Sequence, residues 1–305
     1  MNRNFSARIK KDFKRNHLLY LMLLPVILYF GMFHYQPMYG LQIAFKEFSF
    51  RTGIWGSPWV GFKYIQNFFG SYYFLRLLRN TFMLSINDLL WGFPAPIILA
   101  ILINELKWNP FKRLVQSITY MPHFISLVVV AGMLKDFLSL NGLVNSIITA
   151  LGGQALNFFA EGSWFTPIYV GSNIWQHMGW GTIIYLAALT GIDPELYEAA
   201  KIDGASRFRQ ILHIMIPGIL STVIILLILR MGKMLSVGSE KVLLLYNPTI
   251  YEHADIISTF VYRKGLEEAN YSYAAAVGLF NSAVNFVIIM LMNKLSRKVS
   301  ETSLW

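Results

Sequence analysis

Long apolar stretches alternate with shorter polar connections from one end of the chain to the other, and six of the stretches have the length needed to cross a hydrocarbon layer about 30 Å thick. They run from about His17 to Gln36, Asn80 to Leu106, Phe111 to Phe137, Phe165 to Leu189, Pro217 to Val237 and Tyr273 to Leu295. Each reads as a helix, because a backbone in lipid must satisfy its own hydrogen bonds. Phe93-Pro94-Ala95-Pro96 predicts a kink in the second stretch, and Pro122 lies inside the third. The expected fold is therefore all-α: a polytopic membrane bundle of six transmembrane helices.

Charge orients that bundle. Of the 26 Lys and Arg residues, fifteen fall in the arm before the first stretch, the turn at 107–113, the loop at 192–216 and the tail after the last stretch. By the positive-inside rule those four segments are cytoplasmic, and so are both termini. The chain then divides into a basic cytoplasmic arm (1–16), a membrane domain (17–295) and a cytoplasmic tail (296–305). The connections at about 39–75, 138–164 and 238–270 lie outside and suit contact with a soluble partner. The apolar run after the arm continues to about Phe33 without a small-x-small cleavage site, so it is read as a retained span.

Composition narrows the function further. Charged residues make up 14% of the chain against about 25% in a soluble domain. The net charge of +10 does not point to nucleic acid, because the basic residues border apolar segments and form no stripe. There is no cysteine, which removes disulfides, thiolate metal sites and cysteine nucleophiles. His123 and His177 form no metal motif with a carboxylate, so no metal site is expected. No Gly-x-x-x-x-Gly-Lys loop is present, and the chain is not itself an ATPase.

One cytoplasmic loop, 192–216, is longer than a connection requires. Asp193 is placed to cap a helix, Pro194 suits the first helical position, and Glu195 favours the positive helix end. Asp203-Gly204 supplies a turn that glycine enters freely, and Ser206 can cap a second short helix ending before Pro217. The product is a helix-turn-helix elbow at the membrane surface, with Ala199, Ala200 and Ala205 small enough to let another protein approach.

Glu198, Ala199, Ala200, Asp203, Gly204, Ala205, Ile214 and Pro217 resemble the EAA motif of binding-protein-dependent ABC importer permeases. Ile211 and Thr222 depart from the pattern, where an aromatic residue and a second proline are commoner. Looser features, among them Asn80-Thr81, Tyr120-Met121-Pro122-His123, the Tyr273 to Asn285 stretch and Ser303-Leu304-Trp305, resemble the oligosaccharide and polysaccharide group of the maltose-type branch. The resemblance implies a multi-pass permease of a bacterial inner or plasma membrane with the maltose-type permease fold. It implies a second homologous permease, two ATPase subunits, an extracytoplasmic solute-binding protein, surrounding lipid and a saccharide cargo. It implies no cofactor on this chain, ATP and Mg being held by the ATPase subunits, whose cleft would receive the EAA helices and Glu198.

Polar side chains at membrane depth are costly and so mark function. Arg230 lies about 13 residues, or roughly 20 Å, into the fifth stretch, and Lys233 and Met234 follow it at i+3 and i+4. The resemblance implies that sugar is bound by the spans on either side of the elbow, which here offer Gln176, His177, Trp180, Arg230 and Met234. Trp180 can stack on a sugar ring, and Gln176 and His177 can hydrogen-bond hydroxyls. If Arg230 lines the path, an anionic saccharide such as a uronate oligomer follows; the competing reading pairs Arg230 with Asp88 as a structural ion pair. Asn281 and Asn285, at i and i+4 on the last stretch, suit interhelical hydrogen bonds or substrate contact. Two rivals come from other classes. An intramembrane enzyme requires a positioned nucleophile or a metal, neither of which is found, and a stand-alone secondary transporter usually shows paired repeats or a carboxylate relay.

Overall fold

A computed structural model describes residues 12–232, 234–236 and 238–300. Most of the basic arm, Lys233, the expected end of the fifth span at Val237 and the Ser303-Leu304-Trp305 end lie outside the described residues. Among those described there is no β-strand, and one isolated bridge joins Lys46 to Trp59.

The helices used below are α1 (His17–Phe45), α2 (Lys63–Phe69), α3 (Tyr73–Glu105), α4 (Asn109–Phe124), α5 (Leu127–Phe137), α6 (Leu143–Ala150), α7 (Phe165–Thr190), α8 (Pro194–Ile202), α9 (Arg207–Met231), α10 (Ser239–Leu245), α11 (Ile257–Tyr262) and α12 (Tyr271–Ser300). Four of these, α1, α3, α9 and α12, are long and apolar enough to cross a membrane. A fifth candidate is the pair α4 and α5, bent by 98°. α7 is long enough, 26 residues or about 39 Å, but Asn173, Gln176 and His177 lower its apolar character.

The differences from the expected spans have local causes. α1 runs nine residues past Gln36 because a π-turn at Gly31–Tyr35 precedes Pro37. The same device recurs in α9, where the π-turn Ile211–Met215 precedes Pro217 and the Ile216 amide bonds Ile211 O, five residues back. Proline removes a donor and crowds the carbonyl four residues before it, and a wide turn just upstream relieves that conflict. The second elbow helix therefore does not end before Pro217, as the sequence suggests, but continues into the fifth span. The third stretch is not one straight helix: Met121–Phe124 tightens into a 3-10 turn, Ile125 is extended, and Ser126 restarts the helix by accepting the Val129 amide at 3.3 Å. α9 stops at Met231, six residues short of Val237.

α7 is the hub and packs against both halves of α3, against α4 and against α9. Gly179 permits the α4 crossing, since a β-carbon there would collide with the Thr119 carbonyl. Three apolar clusters hold the rest. One joins α3, α5, α7 and α10 through Leu84, Ala131, Phe165, Tyr169, Val242 and Leu245. A second joins α3, α7 and α9 at the elbow end through Ala100, Tyr185, Leu189, Met215 and Ile219. The third joins α2, α3, α11 and α12 through Phe68, Leu77, Ile257, Phe260 and Val277. α1 has no buried residue from His17 to Met38 and presents apolar side chains on all sides, a surface suited to lipid or to another subunit.

Candidate functional site: an elbow and a polar passage

The elbow is built from its caps. Asp193 accepts the Glu195 amide at 2.9 Å and so caps α8, with Pro194 in the first turn. At the other end Gly204 has φ +73, and the amides of Gly204 and Ala205 bond the carbonyls of Lys201 and Ala200 at 3.1 and 2.8 Å. That pair is a Schellman cap, which requires a left-handed residue at this position. Ser206 accepts the Arg209 amide at 3.4 Å to begin α9.

Gln210, buried at 2% exposure, ties the turn down by donating to Ala205 O at 3.0 Å, and Arg207 reaches Glu105 of α3 at 3.7 Å. Glu198, Ala199, Asp203, Gly204 and Pro217 are exposed, while Ala200, Ala205 and Ile214 are half-buried. Leu196, Ile202 and Phe208 also stand exposed on the elbow. A helical hairpin that shows three large apolar side chains beside a glutamate has the makings of a docking surface. The sequence motif does not include those three, though their apolar character amid charged neighbours is legible.

The polar passage follows one stripe of α7. Tyr169, Asn173, Gln176, His177 and Trp180 fall at i, i+4, i+7, i+8 and i+11, on one helical face. Asn173 donates to Asp88 Oδ1 at 2.5 Å, and Arg230 Nη2 donates to Asp88 Oδ2 at 2.5 Å and to the Asp88 carbonyl at 3.2 Å. These groups line a cavity of about 230 Å³ with Ser85, Tyr169, Met231, Met234 and Gly238. The Arg230 side chain keeps 37% of its surface exposed and Asp88 14%. Arg230 thus both pairs with Asp88 and faces open space.

Of the other expected residues only Met234 lines this cavity. His177 Nδ1 lies 3.1 Å from His123 Nδ1, and the His123 ring stacks on Trp180 at 4.7 Å with planes 3° apart. Trp180 remains 44% exposed. Gln176 is buried, donates to Ile125 O at 3.2 Å in the α4–α5 bend, and leaves its Oε1 without a protein partner. Met234 accepts the Ser85 hydroxyl at 2.5 Å through its carbonyl. Asn281 and Asn285 bracket the backbone of buried Leu235: Asn281 donates to its carbonyl at 3.4 Å and Asn285 accepts its amide at 3.0 Å. They hold the turn where α9 ends and do not line the cavity.

Sequence reasoning missed Asn173, Tyr169 and Lys241. Asn173 was within reach, since it lies four residues before His177 on the same stripe. Lys241 gives no such signal. Its side chain, on α10, is buried to 3% exposure with no hydrogen-bond partner for Nζ, which lies 5.4 Å from the centre of the Tyr169 ring. Among the described residues no group of three or more His, Asp or Glu side chains is arranged to hold a metal.

The structure thus combines long apolar helices, a capped helical elbow and a polar cavity. Residues 79–301 match the model of the binding-protein-dependent transport system inner membrane component family, and the chain belongs to that family. Members are permease subunits without a catalytic site of their own. The chain is 46% identical to LplB of Bacillus subtilis (strain 168) over 96% of its own length and 92% of that protein. It is also 46% identical to the polygalacturonan/rhamnogalacturonan transport system permease protein YteP of the same organism, over 94% of this chain and 90% of that one. Among solved structures, a chain of a bacterial ABC transporter involved in the import of the acidic polysaccharide alginate superposes with a TM-score of 0.91 and 46% identity, covering 96% of this chain and 99% of that one. A chain of a bacterial alginate ABC transporter in complex with an alginate pentasaccharide-bound periplasmic protein matches at 0.91 and 45%, over 97% and 100%.

Proposed function

We propose that the chain is one of two membrane-spanning permease subunits of an ATP-driven importer for an oligosaccharide or polysaccharide fragment that carries carboxylates. The observation that carries the acidic reading is Arg230, a guanidinium at membrane depth on the wall of a cavity. A cation is held at such depth when it serves a charged cargo or an ion pathway. Two relatives support the reading, since alginate and polygalacturonan are both uronate polymers.

The membrane domain (17–295) crosses six times in this reading: α1, α3, the bent α4–α5 pair, α7, α9 and α12. α7 crosses with its polar stripe turned to the passage. An even number of crossings sets both ends on one side, and the distribution of Lys and Arg makes that side the cytoplasm, with the arm (1–16) and tail (296–305). The elbow at 192–216 then faces the ATPase subunits, which hold ATP and Mg. Glu198 makes charge-assisted contacts there, Ala199, Ala200 and Ala205 allow close approach, Asp203 and Gly204 form the turn, and Ile214 and Pro217 pass the motion into α9. A second homologous permease completes the path, and a solute-binding protein delivers cargo from outside. Gln176, His177, Trp180, Arg230, Asp88 and Met234 form or support the sugar path, and Asn281 and Asn285 secure its lower turn.

The test is reconstitution in vesicles with the second permease, the ATPase and a loaded binding protein. Uptake of a uronate oligosaccharide is expected only when ATP is hydrolysed, and Glu198→Lys is expected to release the ATPase and abolish uptake. Uptake by this chain alone, driven by an ion gradient, would overturn the proposal.

A further inference from the structure

Among the described residues, charge around the passage does not balance. Arg230 and Lys241 bring two positive charges to the neighbourhood of the Tyr169 ring, and Asp88 is the carboxylate that faces them. His177, His123, Tyr169 and Tyr185 are titratable groups in the same neighbourhood. Asp88 spends one oxygen on Arg230 and the other on Asn173, which leaves the buried Lys241 ammonium with an aromatic face and no hydrogen bond. An ammonium ordinarily uses its three donors, and burying one without a partner is expensive. Burial pushes the Lys241 ammonium down to about 8, while the charge of Asp88 works against that shift. A cavity of about 230 Å³ opens on the Arg230–Asp88 pair. At about 30 Å³ per water it holds the equivalent of roughly seven waters, room for about one sugar unit.

We propose that Asp88 is a tethered stand-in for the carboxylate of an acidic sugar, and that Lys241 is a specificity-determining cation for it. A uronate entering the cavity takes Arg230 from Asp88, and with cargo bound two carboxylates face two cations. Asp88 then acts as an internal competitor that keeps the acidic sugar from binding too tightly to leave. Lys241 supplies the charge that makes the exchange favourable, and a neutral sugar gains nothing from it. This rests on the acidic-cargo reading given above.

The experiment measures binding by calorimetry to the purified permease–ATPase complex, without binding protein. The probes are a uronate oligosaccharide and its carboxyl-reduced, neutral counterpart of equal length. The expected result is tighter binding of the acidic probe by the wild type, about tenfold tighter again in Asp88→Asn, and about tenfold weaker in Lys241→Gln, with the neutral probe unchanged by Lys241→Gln. Equal weakening of both probes in Asp88→Asn makes the pair structural and overturns the proposal, as does a Lys241→Gln variant that treats the two probes as the wild type does. If Asp88→Asn does not assemble, Lys241→Gln decides alone. Failure of the acidic-cargo reading has a separate signature: the wild type itself would not prefer the acidic probe.

Discussion

Asp255 and Asp88 are both carboxylates pulled out of water and paired with arginine, yet their surroundings differ in every other respect. Asp255, in the segment between α10 and α11, is wholly buried. Its oxygens accept from Arg263 at 2.6 and 3.3 Å, from Arg76 at 3.5 Å and from the Thr259 hydroxyl at 2.8 Å. Its carbonyl and that of Glu252 take the Asn80 amide at 3.1 and 3.0 Å, which fastens the segment to α3. The Arg263 guanidinium also lies 4.6 Å from the Tyr251 ring. Asp88 has fewer ties and an open flank on the cavity. A closed, saturated ion pair holds segments in place, whereas a partly open one retains the capacity to exchange partners.

The comparison can be broken most forcefully at Asp255. Asp255→Asn leaves Arg76 and Arg263 facing each other without their carboxylate, and a loss of about 3–5 kcal/mol is expected; thermal unfolding of the detergent-purified complex reads it. Asp88→Asn is expected to cost less in the same assay, about 1–2 kcal/mol, since Arg230 retains access to the cavity. Equal losses at the two sites would erase the distinction drawn here. Thr259→Val removes one ligand of Asp255 and the acceptor of the Ile256 amide, and about 1–2 kcal/mol is expected from the unpaired groups. The smallest global effect belongs to a third region. Gly204→Ala strains a left-handed turn by about 1 kcal/mol at an exposed position. It should barely move the unfolding midpoint while lowering cargo-stimulated ATP hydrolysis, measured with the reconstituted complex.

What the sequence reveals and what it conceals divide by distance along the chain. The caps of the elbow are legible because Asp193, Gly204 and Ser206 act on amides or carbonyls within five residues. The apolar stretches are legible because lipid imposes a length. Pro122 marks the third span as irregular, but at the 98° bend the Ile125 carbonyl meets Gln176 of α7, 51 residues away. The continuity of α9 through Pro217 is hidden for another reason: the π-turn that accommodates the ring is a property of backbone register and has no residue signature here. Arg230 and Asp88 are individually conspicuous as charges in apolar stretches, and the sequence offers two readings of Arg230. The structure joins the pair at the edge of a cavity, a geometry in which both readings have a physical basis. Lys241 and Asp255 stay silent in sequence because they lie in loop-like segments, where a charge is ordinary until its burial is seen.

The unbroken course of α9 has a mechanical corollary. From Arg207, beside the turn at Gly204, to Arg230 there are 23 residue steps, about 35 Å of helix. A rod of that length, tilted by about 5° around its elbow end, carries its far tip sideways by about 3 Å. Starting from the 2.5 Å that separates Arg230 from Asp88, travel of that size directed away from Asp88 takes the pair beyond hydrogen-bond reach, so a barely visible lean at the elbow is leverage enough to unhook a contact at the far end of the helix.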